Sequence, residues 1–138
     1  MTRKLLLSVE LPIELTNGND GRGSKWFSSA KLRDKIERDL RNLGMTRKPF
    51  DVPVIVRVTR MCGKGQRLWD SSSIGRGSWK ECEDALVVLG WFVDDGPKYI
   101  VETRFRQISQ TVSGRVKPSV IVDVFTAAGT RYRVPGEP

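Results

Sequence analysis

The sequence contains no histidine among its 138 residues and only two cysteines, Cys62 and Cys82. The missing histidine excludes a serine–histidine triad, a zinc site with histidine ligands and a histidine general base. Two cysteines that are not arranged as CxxC do not build a disulfide framework, which favours a reducing, intracellular compartment. Any catalysis therefore rests on carboxylates, lysine, hydroxyl groups or a cation held by oxygen ligands.

Long apolar runs are also missing. Residues 1–12 contain a short apolar run, but it lacks the length and the small-residue cleavage site of a signal peptide. No stretch approaches the roughly 20 apolar residues that span a bilayer. We therefore expect a soluble, cytoplasmic protein that has no membrane partner.

Charge is abundant, with an excess of one sign. Lys and Arg total 24 against 16 Asp and Glu, which gives a net charge of +8 at pH 7. This charge suits a polyanionic partner such as nucleic acid, although a merely soluble basic protein fits it equally well. The length allows one modest core. We expect a single domain over residues 1–138, with a loose tail from about 127 to 138.

Apolar periodicity predicts an alternation of strands and helices. Strands are predicted over residues 3–11, 52–61, 98–106 and 118–125, helices over 29–43 and 79–89, loops over 15–25 and 62–77, and a short tail strand over 131–134. The alternation in residues 52–61 predicts a strand with one face towards solvent or a ligand. The order of elements predicts an α+β or mixed α/β domain, in which a single mixed sheet packs against two main helices.

The second predicted helix has the clearest signals. Ser78 and Glu81 have the spacing of a capping box, in which each side chain bonds the other residue's main chain. Residues 79–89 place an apolar stripe on one face, and Gly90 supplies a stop. These signals fix where the helix begins and ends.

Carboxylates concentrate in the middle third of the chain. Asp70 precedes the second predicted helix, Asp84 lies on it, and Asp94 and Asp95 follow it. Because a strand–loop–helix–turn unit folds back on itself, these groups can meet at one strand edge. Oxygen ligands of this kind suit Mg²⁺ or Mn²⁺.

Each of these features also has an ordinary structural explanation. Residues 94–97 have the composition of a plain turn. Lys80 and Asp84 have the spacing of an ordinary i,i+4 ion pair on a helix. A lysine in the first turn of a helix interacts unfavourably with the helix dipole. Because Lys80 brings no evident structural benefit at this position, a functional role is favoured, such as contact with a phosphate.

The segment from Arg67 to Asp95 resembles the core motif of the RusA-type Holliday-junction resolvases, which are common in phages and prophages. That motif is roughly Leu-x-Asp-x-Asp-Asn-Leu, then a lysine, Asp-x-Leu and a hydrophobic-Asp-Asp pair. The matching positions hold Asp70, Lys80, Asp84, Asp94 and Asp95. Upstream, the family's N-terminal loop motif is matched by Asn19, Arg22 and Trp26. The similarity extends over residues 5 to 106.

The resemblance implies a homodimeric, metal-dependent endonuclease that cleaves Holliday junctions or other branched DNA in recombination and repair. The implied cofactor is Mg²⁺ or Mn²⁺ without a small-molecule cofactor, and the implied setting is a phage or prophage in a bacterial host cell. By the same resemblance Asp70, Asp94 and Asp95 hold the metal. The catalytic residues are Lys80, Asp70 and Asp95, with possible support from Asp84 and Ser72.

The chain departs from the motif at two neighbouring positions. Ser72 and Ser73 stand where the family has its second aspartate and its asparagine, and one extra residue precedes Lys80. A neutral hydroxyl is a poor Mg²⁺ ligand and leaves the site one negative charge short. The departure implies weakened activity. The alternative is a catalytically inactive DNA-binding or protein-binding phage factor on the same fold.

Basic residues accompany the acidic segment along the chain. An acidic pocket needs positive charge around it, because the carboxylates alone would repel phosphates. The expected nucleic-acid-binding residues are Arg22, Arg60, Lys64, Arg67, Arg76, Arg104 and Arg106. Trp69 is a candidate for stacking on exposed bases.

Overall fold

The computed structural model describes residues 3–16, 29–70, 73–75 and 77–127. The elements in chain order are β1 (Leu5–Leu11), α1 (Ser29–Asn42), β2 (Val54–Met61), α2 (Trp79–Val88), β3 (Ile100–Ile108), α3 (Gln110–Ser113) and β4 (Ser119–Thr126). The predicted α+β class with one mixed sheet is confirmed, and α3 is one additional short turn. The predicted tail strand over 131–134 and most of the predicted loop over 15–25 lie outside the described residues.

The sheet has the strand order β1-β4-β2-β3. β2 and β3 are parallel, whereas β4 pairs antiparallel with both β1 and β2. A parallel pair needs a crossover connection, and α2 lies on the one between β2 and β3. Along this crossover the chain leaves the end of β2, passes through a loop and α2, and enters β3 after a turn.

The core lies between one face of the sheet and the two longer helices. β2 and β4 supply alternate valines, α1 supplies Ile36 and Leu40, and α2 supplies Cys82, Ala85 and Leu86. This confirms the apolar stripe predicted for residues 79–89. The helical spacing of Leu32, Ile36, Leu40 and Leu43 predicts one apolar face for the first helix as well, but Leu43 is 53% exposed, because α1 ends at Asn42.

The face of β2 that was predicted to meet solvent or a ligand is largely covered by protein side chains. Ile55 is 1% exposed and Thr59 is not exposed at all. β2 is an interior strand, so side chains from β3 and β4 cover its second face: Arg106 bonds Thr59, and Phe125 lies opposite Ile55. Arg57 on the same face is held by the buried Asp123 carboxylate at 3.0 Å.

The beginning of α2 differs in detail from its prediction. Ser78 is the N-cap residue, but its side chain makes no capping hydrogen bond and instead accepts one from the Thr16 amide at 2.9 Å. Without that capping bond no capping box forms, and the buried Oε2 atom of Glu81 has no partner among the described residues. Gly90 follows the helix as predicted, with φ at 91°. None of the described helices has the length and apolar character needed to cross a membrane.

Candidate functional site

The ammonium of Lys80 contacts three carboxylates. Lys80 Nζ lies 3.1 Å from Oδ1 of Asp84 and 3.8 Å from Oε1 of Glu83, and it donates a short hydrogen bond to Oδ2 of Asp95. Glu83 and Asp84 come from the next turn of α2, whereas Asp95 comes from the turn that follows the helix. We call Lys80, Glu83, Asp84 and Asp95 the Lys80 cluster. The structure thus brings together three residues that the sequence singled out.

The Lys80 cluster holds its charges in unequal environments. The side chain of Lys80 is 59% exposed and that of Glu83 only 13%. The hydrogen bond between Lys80 and Asp95 raises the pKa of the Lys80 ammonium and lowers the pKa of the Asp95 carboxyl. Burial raises the pKa of the Glu83 carboxyl. Lys80 therefore stays charged, and the buried Glu83 carboxyl loses its proton less easily than an ordinary glutamate.

Glu83 is the member of the cluster that sequence reasoning missed. It lies three residues after Lys80, which is a spacing that places two side chains on the same side of a helix. That i,i+3 spacing was the available signal. The resemblance drew attention to Asp84 instead, since Asp84 alone stands at a motif position.

Asp94 and Asp95 are adjacent in sequence but bind different partners. Asp94 Oδ1 accepts a hydrogen bond from the amide of Gly96 at 2.5 Å, which closes the turn locally. Asp95 turns to Lys80. The turn explanation therefore holds for Asp94, while Asp95 joins the cluster.

The proposed metal ligands fit Mg²⁺ in their chemistry but not in their arrangement. Carboxylate oxygens are the ligands that Mg²⁺ prefers. Within the part of the chain that the structure describes, however, no three acidic, cysteine or histidine side chains gather in a way that would hold a metal. The Lys80 ammonium stands between Asp84 and Asp95, and Asp70 belongs to no such group. Ser72 lies outside the described residues.

The loop before Asp70 is fastened to the sheet by a buried arginine. Arg60 is 3% exposed, stacks on the Trp69 ring and donates to the carbonyl of Arg67 at 2.9 Å. Arg60 was expected to contact nucleic acid, but in the described structure its side chain is buried under the Trp69 ring and does not face solvent. Trp69 is half-buried against the core. Asp70 itself is exposed, and its carbonyl accepts from the amide of Ser73.

The other residues expected to contact nucleic acid differ in whether their charged groups already have partners within the protein. Arg104 forms an ion pair with Glu102 at 2.6 Å, and Arg106 donates from Nε to Thr59 at 2.7 Å. Lys64 and Arg67 are exposed and make no ion pair with any described residue. Arg22 and Arg76 lie outside the described residues. Free positive charge is thus clearest on the loop after β2.

Comparison with known proteins adds no family assignment. Neither a scan against protein-family models nor a search of curated proteins finds a match for this chain. The likeness to junction resolvases therefore rests on the sequence motifs alone, the N-terminal one from Asn19 to Trp26 and the central one from Asp70 to Asp95. The structure contributes the fold and the Lys80 cluster, which are independent of any family assignment.

Proposed function

We propose that the protein is a metal-dependent endonuclease that acts on branched DNA, with Lys80 at the reacting phosphate. The contact of Lys80 with Asp84 and Asp95 carries the proposal. This contact joins residues that are 4 and 15 positions apart. All three residues stand at motif positions, which supports a shared role rather than an isolated surface ion pair.

The chemistry of the Lys80 cluster suits phosphodiester hydrolysis. Attack of water on phosphorus forms one P–O bond and breaks another, and negative charge grows on the phosphoryl oxygens and on the leaving oxygen. A fixed ammonium stabilises that charge more than it stabilises the starting diester. Asp84 and Asp95 hold Lys80 in place, and the raised pKa of Lys80 keeps it protonated.

Mg²⁺ or Mn²⁺ is the proposed cofactor, and a bound ion would neutralise further phosphate charge. Because Lys80 already neutralises Asp95, we assign no step of the reaction to the metal. A homodimer is proposed as well, since two symmetric cuts in a junction need two sites related by a two-fold axis.

The second candidate is a protein that binds branched DNA without cutting it. Two observations favour it: Asp95 is already neutralised by Lys80, and a serine stands at position 72. The free charge of Lys64 and Arg67 supports binding in either case. This candidate predicts salt-sensitive binding that persists without metal and in Asp95→Asn.

A labelled four-way junction separates the two candidates. We expect the wild type to cleave it with Mg²⁺ or Mn²⁺, and Lys80→Met to slow cleavage on the order of 100-fold. Lys48→Met is the matched control, because Lys48 is an exposed lysine outside the Lys80 cluster. Absence of cleavage by the wild type and by Ser72→Asp rejects the endonuclease. Binding at low salt that survives in Asp95→Asn then selects the second candidate.

A further inference from the structure

The turn that joins β3 to β4 exposes two valines more fully than any other large apolar side chain in the described residues. Val112 is 77% exposed and Val116 is 72% exposed. The next in order is Leu68, at 56%. A single exposed apolar residue is ordinary on a protein surface, whereas two on one short turn indicate a surface that binds a partner.

This turn is held rigidly against the rest of the sheet. The Ser113 hydroxyl donates to the buried carbonyl of Cys62 at 2.8 Å, and Arg115 forms an ion pair with Glu10 at 2.6 Å. The amide of Lys64 donates to the carbonyl of Val116 at 2.9 Å. The valines therefore project from a fixed support, and their β-branched side chains have little rotamer freedom to lose on contact.

Two lysines lie close to Val116. Lys117 follows Val116 directly, and the amide bond from Lys64 to Val116 brings the loop after β2 alongside. Both lysines are exposed, and neither makes an ion pair with a described residue. The nearby Arg115 is already neutralised by Glu10. Exposed valines close to two ammonium groups that form no ion pair are complementary to a base and its adjoining phosphates.

We propose that Val112 and Val116 form an apolar tip that packs against an unstacked base at the open centre of branched DNA, while Lys64 and Lys117 contact the adjoining phosphates. This inference rests on the proposed function in taking branched DNA as the ligand, and it assigns how that DNA is recognised. Apolar side chains inserted at a base step are an established way to read an opened duplex. A regular duplex offers no unstacked base, so the tip favours a junction over linear DNA.

Binding measurements without metal test the tip independently of cleavage. Fluorescence anisotropy gives Kd for a four-way junction and for a linear duplex of the same sequence. We expect V112S/V116S to weaken junction binding about tenfold and duplex binding less than about twofold. Val52→Ser combined with Val88→Ser is the matched control, since these valines are also exposed but lie outside this turn. That control should bind as the wild type does.

A fluorescent base and a charge variant complete the design. A 2-aminopurine at the junction centre should brighten when the wild type binds, because the base leaves its stack, and should stay dim with V112S/V116S. K64Q/K117Q should weaken both DNAs and reduce the salt slope by about 2. Equal binding and equal brightening by V112S/V116S and the wild type overturns the proposal.

Two further outcomes separate this proposal from the endonuclease. Junction binding through the tip without cleavage by the wild type supports the tip and rejects only the endonuclease. Absence of DNA binding, with valine-dependent binding to vesicles of phosphatidylcholine and phosphatidylserine, overturns the tip in favour of a membrane contact.

Discussion

The guanidinium carbon of Arg60 lies 3.5 Å from the centroid of the Trp69 ring, and both residues bond the side chain of Gln107. The Gln107 amide accepts from the main-chain nitrogen of Trp69 and donates to its carbonyl. It thereby pairs with Trp69 as a neighbouring strand would. The loop that leads to Asp70 is fixed to β2 and β3 by this arrangement.

Replacing Gln107 with leucine should destabilise the protein by about 2 kcal/mol, because the Trp69 main-chain N–H and C=O and one N–H of Arg60 lose their part-buried hydrogen bonds to Gln107. Urea unfolding measures the loss, and exchange of the Trp69 amide should accelerate. Gln110→Leu is the matched control, since Gln110 donates only one longer bond, 3.3 Å, to the Arg115 carbonyl. Equal losses in the two variants would show that Gln107 does not fasten this loop.

Separating Lys80 from Asp95 should change stability little and cleavage greatly. Their side chains are 59% and 38% exposed, so a double-mutant cycle with Lys80→Met and Asp95→Asn should give a coupling below about 1 kcal/mol in unfolding. The same two variants should each remove most of the cleavage of a four-way junction. A large coupling in stability combined with unchanged cleavage would make the pair structural.

The local elements were predictable because periodicity and end signals act over a few residues. Ile36 and Leu40 mark the buried face of α1, and Gly90 marks the end of α2, as the sequence indicates. The role of β2 was not predictable in the same way. Alternation in residues 54–59 is consistent with one solvated face, whereas in the structure side chains from other strands, such as Arg106 on β3, cover that face.

The contacts of the candidate site likewise differ in whether local sequence spacing predicts them. Lys80 and Asp84 lie one helical turn apart, so their contact follows from spacing. Asp95 reaches Lys80 because of the path of the turn after α2, which the motif implied and no local rule specifies. Arg60 was misjudged because a basic residue in an alternating strand suggests a surface position, whereas Trp69 and Gln107 come from elsewhere in the chain to bury it.

Acid should weaken the protein partly through Glu10. Hydrogen bonds from Arg115 and Ser119 lower the pKa of the Glu10 carboxyl from 4.5 to about 2. A lowered carboxyl pKa contributes stability that is present above pH 4.5 and is lost as the pH falls towards 2. Glu10→Gln should therefore flatten the dependence of unfolding free energy on pH in this window, as measured by urea unfolding at each pH.

Glu14→Gln is the matched control for Glu10. It removes a carboxylate that accepts a hydrogen bond from the uncharged Gln66 side chain and contacts no arginine in the described structure. Its curve is the reference against which the effect of Glu10→Gln is compared. If both variants flatten the curve equally, the ion pair with Arg115 is not the cause.

Gly90→Ala should lower the free energy of unfolding far more than Gly44→Ala. Both glycines follow helices, and both have positive φ, 91° and 75°. A Cβ on Gly90 would lie 2.3 Å from the carbonyl oxygen of Arg47, whereas nothing lies within 4 Å at Gly44. Gly44→Ala carries the backbone strain alone, about 1 kcal/mol. Gly90→Ala adds the collision with main chain, for a total of at least about 3 kcal/mol. Urea unfolding of the two variants measures the difference, and equal losses would mean that the segment at Arg47 gives way without cost.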